Sequence, residues 1–252
     1  MRNGAGKRSN LVGLLLAAVG FMCLPAFLAF AQAGSIPSSR RSDIAYETAK
    51  PMLETALEAK GLKLGSDVYL RLTKEPAELT AFVADTDGKF QPFRTWPVCS
   101  VSGGLGPKLR EGDGQAPEGF YAIKPGQMNP SSNYHLSFNL GYPNAFDRAN
   151  GRTGSFLMVH GNCVSVGCFA MTDTGIEEIW TLMQAAYENG QTSIDVHIFP
   201  FPMTAANLKR HAGDSNAEFW NELAPAWTAF EASGRVPAIA VRNKVYVVSP
   251  TA

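Results

Sequence analysis

The stretch "MVHGNCVSVGCFAMTD", residues 158–173, holds His160, Cys163 and Cys168 within nine positions. An apolar run, "SFLMVHG" at 155–161, leads into it as a strand. "TDTGIEEIWTLMQAAYENG" at 172–190 leads out of it as a helix. Thr172 or Asp173 can cap that helix, acidic residues fill its first turn as the helix dipole favours, and Ile176, Ile179, Leu182 and Met183 form its apolar stripe. A histidine ending a strand and a cysteine just ahead of a helix, joined by a turn bearing Ser165 and Gly167, admit three chemistries: a metal site, a disulfide and an activated thiol.

His160, Cys163 and Cys168, with Cys99 from elsewhere, can be written as a Cys₃His zinc site, but H-x₂-C-x₄-C matches no common zinc spacing and the chain has no C-x-x-C. A Cys163–Cys168 bond would close a very tight ring. A Cys99–Cys163 bond would tie the turn to a separate strand and leave Cys168 free. An activated Cys168 needs a base to become a nucleophile, and His160 is the local candidate. Gly167 allows close approach of a substrate carbonyl, and backbone N–H groups near the helix start suit an oxyanion hole. Against this stand a buried structural His160 and an inert buried Cys168.

The N-terminus bears on the cysteine count. Arg2, Lys7 and Arg8 precede the apolar run "LVGLLLAAVGFMCLPAFLAF" (11–30), which closes on Ala29-Phe30-Ala31 or Ala31-Gln32-Ala33. Residues 1–33 therefore read as a cleaved secretory signal peptide, with Pro25 and the small-residue ends arguing against a retained membrane anchor. The expected location is exported and periplasmic. Cleavage removes Cys23 and leaves Cys99, Cys163 and Cys168, an odd number, where disulfides persist. It also leaves 19 basic against 22 acidic residues, a balance that excludes nucleic acid as the main partner.

Outward from the turn the chain reads as one β-rich domain with helices at both ends. "GSIPSSRRS" (34–42) reads as a flexible lead, followed by a helix carrying Leu53, Leu57 and Leu62, with Pro51 breaking or starting it. Val68, Leu70 and Leu72 alternate in "DVYLRLTK", and strands flank a hairpin signal at Asp85–Gly88. A long Gly- and Pro-rich loop feeds the strand "GFYAI", and "YHLSFNLGY" and "TSIDVHIFPF" are further strands. "SNAEFWNELAPAWTAFEASG" is a helix with a kink expected at Pro225, and "AIAVRNKVYVVS" is a closing hairpin. The expected boundaries are 34–64 for the lead and helix, 65–203 for a catalytic domain and 204–252 for a C-terminal extension. No Gly-rich segment follows a strand–helix phosphate-loop pattern, so no nucleotide site is expected.

The pattern H-G-x₃-S-x-G-C, from His160-Gly161 to Cys168, resembles the active-site signature of the L,D-transpeptidase (YkuD-type) catalytic domain. Usual members have a longer spacer after His-Gly and a second histidine where Val166 stands here. Those departures, with "GPKLREGDGQAPEGFY" (106–121), "YPNAFDRANGRTGSFLMVHG" (142–161) and "GCFAMTD" (167–173), are similar to the YafK-like branch. The resemblance implies a mixed α/β, β-rich fold, a β-sandwich or barrel-like catalytic domain with peripheral helices. It implies Cys168 as the nucleophile forming a thioester, His160 as general base, and Gly161 orienting the imidazole through its carbonyl. Gly167 and Cys168 would supply oxyanion N–H groups, with Ser165 shaping the turn. The implied partners are peptidoglycan stem peptides at diaminopimelate and a peptidoglycan-linked outer-membrane lipoprotein, with no cofactor and no metal. The thioester would pass to an amine in a transpeptidase or to water in an amidase that releases lipoprotein; an inactive wall-binding module is the non-enzymatic alternative.

Other residues follow from their settings. Arg152 in "GRTG" is a candidate partner for a diaminopimelate carboxylate, since an arginine fork suits that geometry. Lys108 and Arg110 read as surface charge near a cleft rim. Tyr142 and Asn144 read as turn and packing residues, His135 and His197 as structural histidines, and Trp180, Trp220 and Trp227 as core.

Overall fold

The computed structural model describes residues 35–165 and 167–249, together with Met1 and Gly4. The signal peptide expected over 1–33 lies outside the described residues apart from Met1 and Gly4, as does Val166. No helix among the described residues is long and apolar enough to cross a membrane.

Helix α1 (Arg40–Glu58) starts inside the stretch expected to be a flexible lead. Ser39 and Ser42 form a reciprocal capping box, each hydroxyl accepting the other's backbone N–H, which satisfies two orphan donors at once. Pro51 neither breaks nor starts the helix but lies within it. Pro51 is exposed, while Ala45, Ala49, Leu53 and Leu57 form a buried stripe whose packing outweighs the missing hydrogen bond.

Strands β1 (Val68–Lys74), β2 (Ala77–Ala84) and β3 (Phe90–Pro97) form an antiparallel meander. β4 (Ser100–Val101) begins a second sheet, and β5 (Gly119–Ile123) returns to the far edge of the first. β6 (Met128–Asn129), β7 (Ser137–Asn139), β8 (Met158–His160) and β9 (Phe169–Ala170) complete the second sheet, with the short helix α2 (Ala145–Ala149) between β7 and β8. Helix α3 (Asp173–Glu188) leads to β10 (Ile194–Phe199). Helices α4 (Ala205–Arg210) and α5 (Ala217–Ser233) and the hairpin β11 (Ala238–Arg242)–β12 (Val245–Ser249) follow.

The strand orders are β3-β2-β1-β10-β5 and β4-β9-β8-β7-β6. Each sheet contains a parallel pair, β1 with β10 and β8 with β9. The fold is therefore mixed α/β and β-rich, with two open five-stranded sheets, the separate β11–β12 pair and, among the described residues, no closed barrel. The main core lies between the two five-stranded sheets: Leu70, Leu72, Val196 and Ile198 pack in one cluster with Phe138, Val159 and Phe169 and with Ile179 and Met183 of α3. The alternation read in "DVYLRLTK" captures only half of β1. Tyr69 is buried too, packed with Phe82 and Phe230 on the reverse face of the sheet, so β1 is covered on both sides.

On that reverse face Phe120 and Phe199 cluster with Trp220 and Leu223 of α5 and Tyr246 of β12. Helix α5 runs through Pro225 and ends at Gly234, whose φ of 66° is the left-handed cap glycine provides without a Cβ penalty. The long loop before β5 is anchored from below. Lys74 donates to the carbonyls of Gly104, Gly106 and Ala116 and lies 3.1 Å from Glu118, both side chains buried. Glu118 also accepts from Gly106 N–H and from the Trp220 indole, so the pair's hydrogen-bonding capacity is well used.

Candidate active site

His160 ends β8 and is buried. Its Nδ1 lies 2.7 Å from the Gly161 carbonyl oxygen. A carbonyl only accepts, so Nδ1 carries the proton and Nε2 keeps the lone pair. The Tyr134 ring packs over the imidazole at 4.8 Å, and Gly161 N–H donates to Tyr134 and Leu136 carbonyls. A Cβ at 161 would come within 2.6 Å of Asp173 Oδ1 and 3.0 Å of His135 Cβ, so a side chain there would displace the carboxylate that holds the turn.

The turn then passes through Asn162 and Cys163, both at positive φ (68° and 40°). Such conformations persist only where surroundings over-determine them. Here Asp173 Oδ1 accepts Asn162 N–H at 2.8 Å, Cys163 N–H donates to the Met171 carbonyl, and Cys163 is disulfide-bonded to Cys99. Cys99 N–H in turn donates to the Ala170 carbonyl, so the bond pins the turn to the β9 side of the second sheet. Both sulfurs are thereby withdrawn from the Cys₃His arrangement, and among the described residues no group of His, Cys, Asp and Glu could hold a metal ion.

Cys168 is a free, half-buried thiol. The parallel register places His160 opposite Ala170 and Val159 opposite Phe169. One step back, Met158 N–H points at Cys168 Sγ (3.4 Å), so the imidazole ends one strand and the sulfur sits just ahead of its parallel neighbour. The thiol donates towards the Phe156 carbonyl at 3.7 Å. Ser165 clamps the turn: its hydroxyl donates to the Cys168 carbonyl (2.6 Å) and accepts Cys168 N–H (3.0 Å), with Ser102 Oγ 2.9 Å away. The Cys168 N–H expected at an oxyanion is therefore engaged by Ser165 in this resting arrangement. Gly167, at φ 94°, takes a conformation that disfavours any side chain.

Burial pushes the Cys168 thiol up from its ordinary 9.0, against the opposing pull of Met158 N–H and the Lys108 ammonium. Burial holds His160 below its ordinary 6.5, partly offset by the bond to Gly161. Both shifts favour the uncharged forms, a thiol and an imidazole.

The remaining expectations fare differently. Arg152 is not free for a ligand: it pairs with buried Asp147 at 3.0 Å and its guanidinium stacks on Phe146 and Phe219. Lys108 is not surface charge; it is buried and pairs with Asp113 at 2.5 Å, while Arg110 is exposed. Burial raises the Asp113 carboxyl, but Arg110 N–H, the Lys108 ammonium and the N–H groups of Leu109 and Gln115 outweigh it and hold it at about 2. His135 pairs with Glu177, and His197 is fully enclosed. Tyr142 bonds the Lys108 carbonyl, and Asn144 caps α2. Trp180 and Trp220 are core, and Trp227 is partly buried against Phe199 and Arg71. Sequence reading missed Tyr134 over the imidazole, Asp173 beneath the turn and Phe156 beside the sulfur. Asp173 was visible only as a helix-start acid, and Tyr134 and Phe156 fall in stretches expected to be strands that the structure shortens to β7 and β8, leaving both in loops.

A family model of the YkuD L,D-transpeptidase catalytic domain matches residues 76–231, which include every residue of this site. The chain belongs to the L,D-transpeptidase family. Its L,D-transpeptidase character is matched by a 44% identical Escherichia coli K12 protein named "Putative L,D-transpeptidase YafK", over 192 residues, 76% of this chain and 78% of that one. Among solved structures, a point-mutant form of the helical cell shape determining protein Pgp2 from Campylobacter jejuni aligns at TM-score 0.44 and 22% identity, over 77% of this chain and 65% of that one. Bd1075 of Bdellovibrio bacteriovorus aligns at TM-score 0.38 and 16% identity, over 71% of this chain and 78% of that one.

Proposed function

We propose that the protein is an exported, periplasmic cysteine acyltransferase acting on peptidoglycan stem peptides at diaminopimelate. The observation that carries this reading is the His160 Nδ1 bond to the Gly161 carbonyl, which leaves Nε2 free as a base on the strand paired with β9, the strand that Cys168 immediately precedes. The Cys168 thiol gives its proton to His160 Nε2 as Sγ bonds to the peptide carbonyl carbon. The oxyanion is held by Gly167 N–H, joined by Cys168 N–H once Ser165 releases it. Collapse breaks the C–N bond, the imidazolium returns its proton to the leaving amine, and a thioester remains. An incoming amine or water then attacks the thioester carbonyl as His160 removes its proton, the C–S bond breaks to give a new amide or a carboxylate, and the proton passes to Cys168 Sγ to restore the thiol. Transpeptidation and release of a peptidoglycan-linked lipoprotein share every step up to the thioester.

The test is mass spectrometry of peptidoglycan carrying covalently bound lipoprotein, incubated with the mature protein and with Cys168→Ala. Cys168-dependent cross-links or amine-exchanged stems mean a transpeptidase. Free lipoprotein with a regenerated diaminopimelate carboxyl means an amidase. Identical spectra for both proteins would sink the catalytic reading and leave a wall-binding module.

A further inference from the structure

An open groove of about 700 Å³, within the range of small-molecule sites, has Phe156 in its wall, one residue removed from the Cys168 thiol. Phe156 ties the two together: it lines the groove, its side chain is 74% exposed, and its carbonyl oxygen meets Cys168 Sγ. The polar side chains along the groove are mostly spent within the chain. Gln127 bonds Asn139 O and Lys124 N–H, and Asn144 bonds Phe120 O, Tyr246 OH and Asp147 N–H. Tyr142 OH donates to Lys108 O and Ser155 Oγ to Glu111.

Arg148 is different. Among the described residues it is the one lining the groove with a formal charge, and none of those lining it is a carboxylate. Its guanidinium is exposed and donates to the Pro143 carbonyl, leaving most of its five donors open. The adjacent acid, Asp147, is consumed by Arg152, Tyr121 and Asn144 N–H and is fully buried. An unpaired guanidinium in an amide-lined groove without acids selects a carboxylate, which it can hold through two parallel N–H bonds.

We infer that Arg148 binds a free carboxylate of the acyl-donor peptide and so sets which stems present their carbonyl to Cys168. This rests on the acyl-transfer reading above and replaces Arg152 as the carboxylate partner.

The experiment measures binding separately from turnover. Calorimetric titration of Cys168→Ala protein would compare a diaminopimelate tetrapeptide stem with the same stem amidated at the side-chain carboxyl of diaminopimelate. The free acid is expected to bind roughly 10- to 100-fold tighter. Adding Arg148→Gln should bring it to the amidated level, and Arg148→Lys should restore part of the preference. An undiminished preference in the Arg148→Gln protein, or no preference and no binding in its parent, overturns the inference. A role confined to tying α2 would lower the melting temperature and leave the preference intact, which also overturns it. Turnover by the Cys168 protein, measured in parallel, reports on the acyl-transfer reading alone.

Discussion

Two buried imidazoles sit in unlike regions of the molecule, His160 in the thiol turn and His197 on the reverse face of the main sheet. Burial lowers both from 6.5. His160 has one nitrogen committed to a carbonyl, and it ends a strand whose parallel partner follows directly on the half-buried Cys168. His197 is enclosed by the rings of Tyr69, Phe120 and Phe199, and its Nδ1 has no partner among the described residues. Depressed basicity is therefore common to both and marks neither as functional. What separates a base from a packing residue is whether one nitrogen is fixed and the other can meet a proton donor.

The largest expected effect breaks the front and spares the back. His160→Gln should lower thiol-dependent turnover by roughly 10²- to 10⁴-fold while shifting thermal unfolding little, checked by kinetics alongside calorimetry. Equal loss of activity and stability would make His160 a core residue like His197.

Glu118→Ala reverses that pattern. It strands the Lys74 ammonium inside the loop anchor and removes the acceptor of the Trp220 indole. Denaturant unfolding should show a loss of about 3–5 kcal/mol. The joint change Lys74→Met with Glu118→Leu should recover much of it.

Opening the Cys99–Cys163 bond touches the front alone. The paired change to serine at both positions removes a link across 64 residues and should cost about 2–4 kcal/mol in chemical denaturation. It should also lower turnover, because Cys163 lies in the turn between His160 and Cys168. Unchanged turnover would show that Asp173 and Ser165 hold the turn unaided.

The finest contrast is in pH. The unfolded chain protonates His197 near 6.5, whereas the folded chain resists until about 3. Folding stability should therefore fall as pH drops through that window, by up to about 1.4 kcal/mol per unit. His197→Phe should flatten the slope in urea titrations between pH 6.5 and 4. His160 has the same sign, so turnover should persist below the ordinary histidine range, and a plateau ending at or above 6.5 would contradict its lowered basicity.

Much of the front was legible because it is local. His160, Ser165, Gly167 and Cys168 lie within one strand, one turn and the approach to one helix, where spacing carries information. The cysteine pairing was narrowed by an odd count, not by spacing. The arginines were not legible: Arg148 and Arg152 are four residues apart around the same acid, and only packing on Phe146 and Phe219 decides which one Asp147 takes. Lys108 looked like surface charge because its burial depends on Asp113 and a loop with no periodicity. The start of α1 was missed because Ser39 and Ser42 cap it without the Glu or Gln that usually reveals such a box.

The parallel pairing of β1 with β10 joins Leu70 to Val196, so the two central strands of the main sheet meet across half the chain. Everything from β4 to α3, thiol turn included, is an excursion between two neighbours in space. Contacts of such separation form slowly, because the loop must close before the pairing rewards it. A chain emerging from its N-terminus can assemble the β1–β3 meander early, but it cannot close the central seam until residue 199 is available. A chain cut short before β10 would carry every residue of the site and the strands of the second sheet, but not the strand that closes the main sheet beneath the shared core.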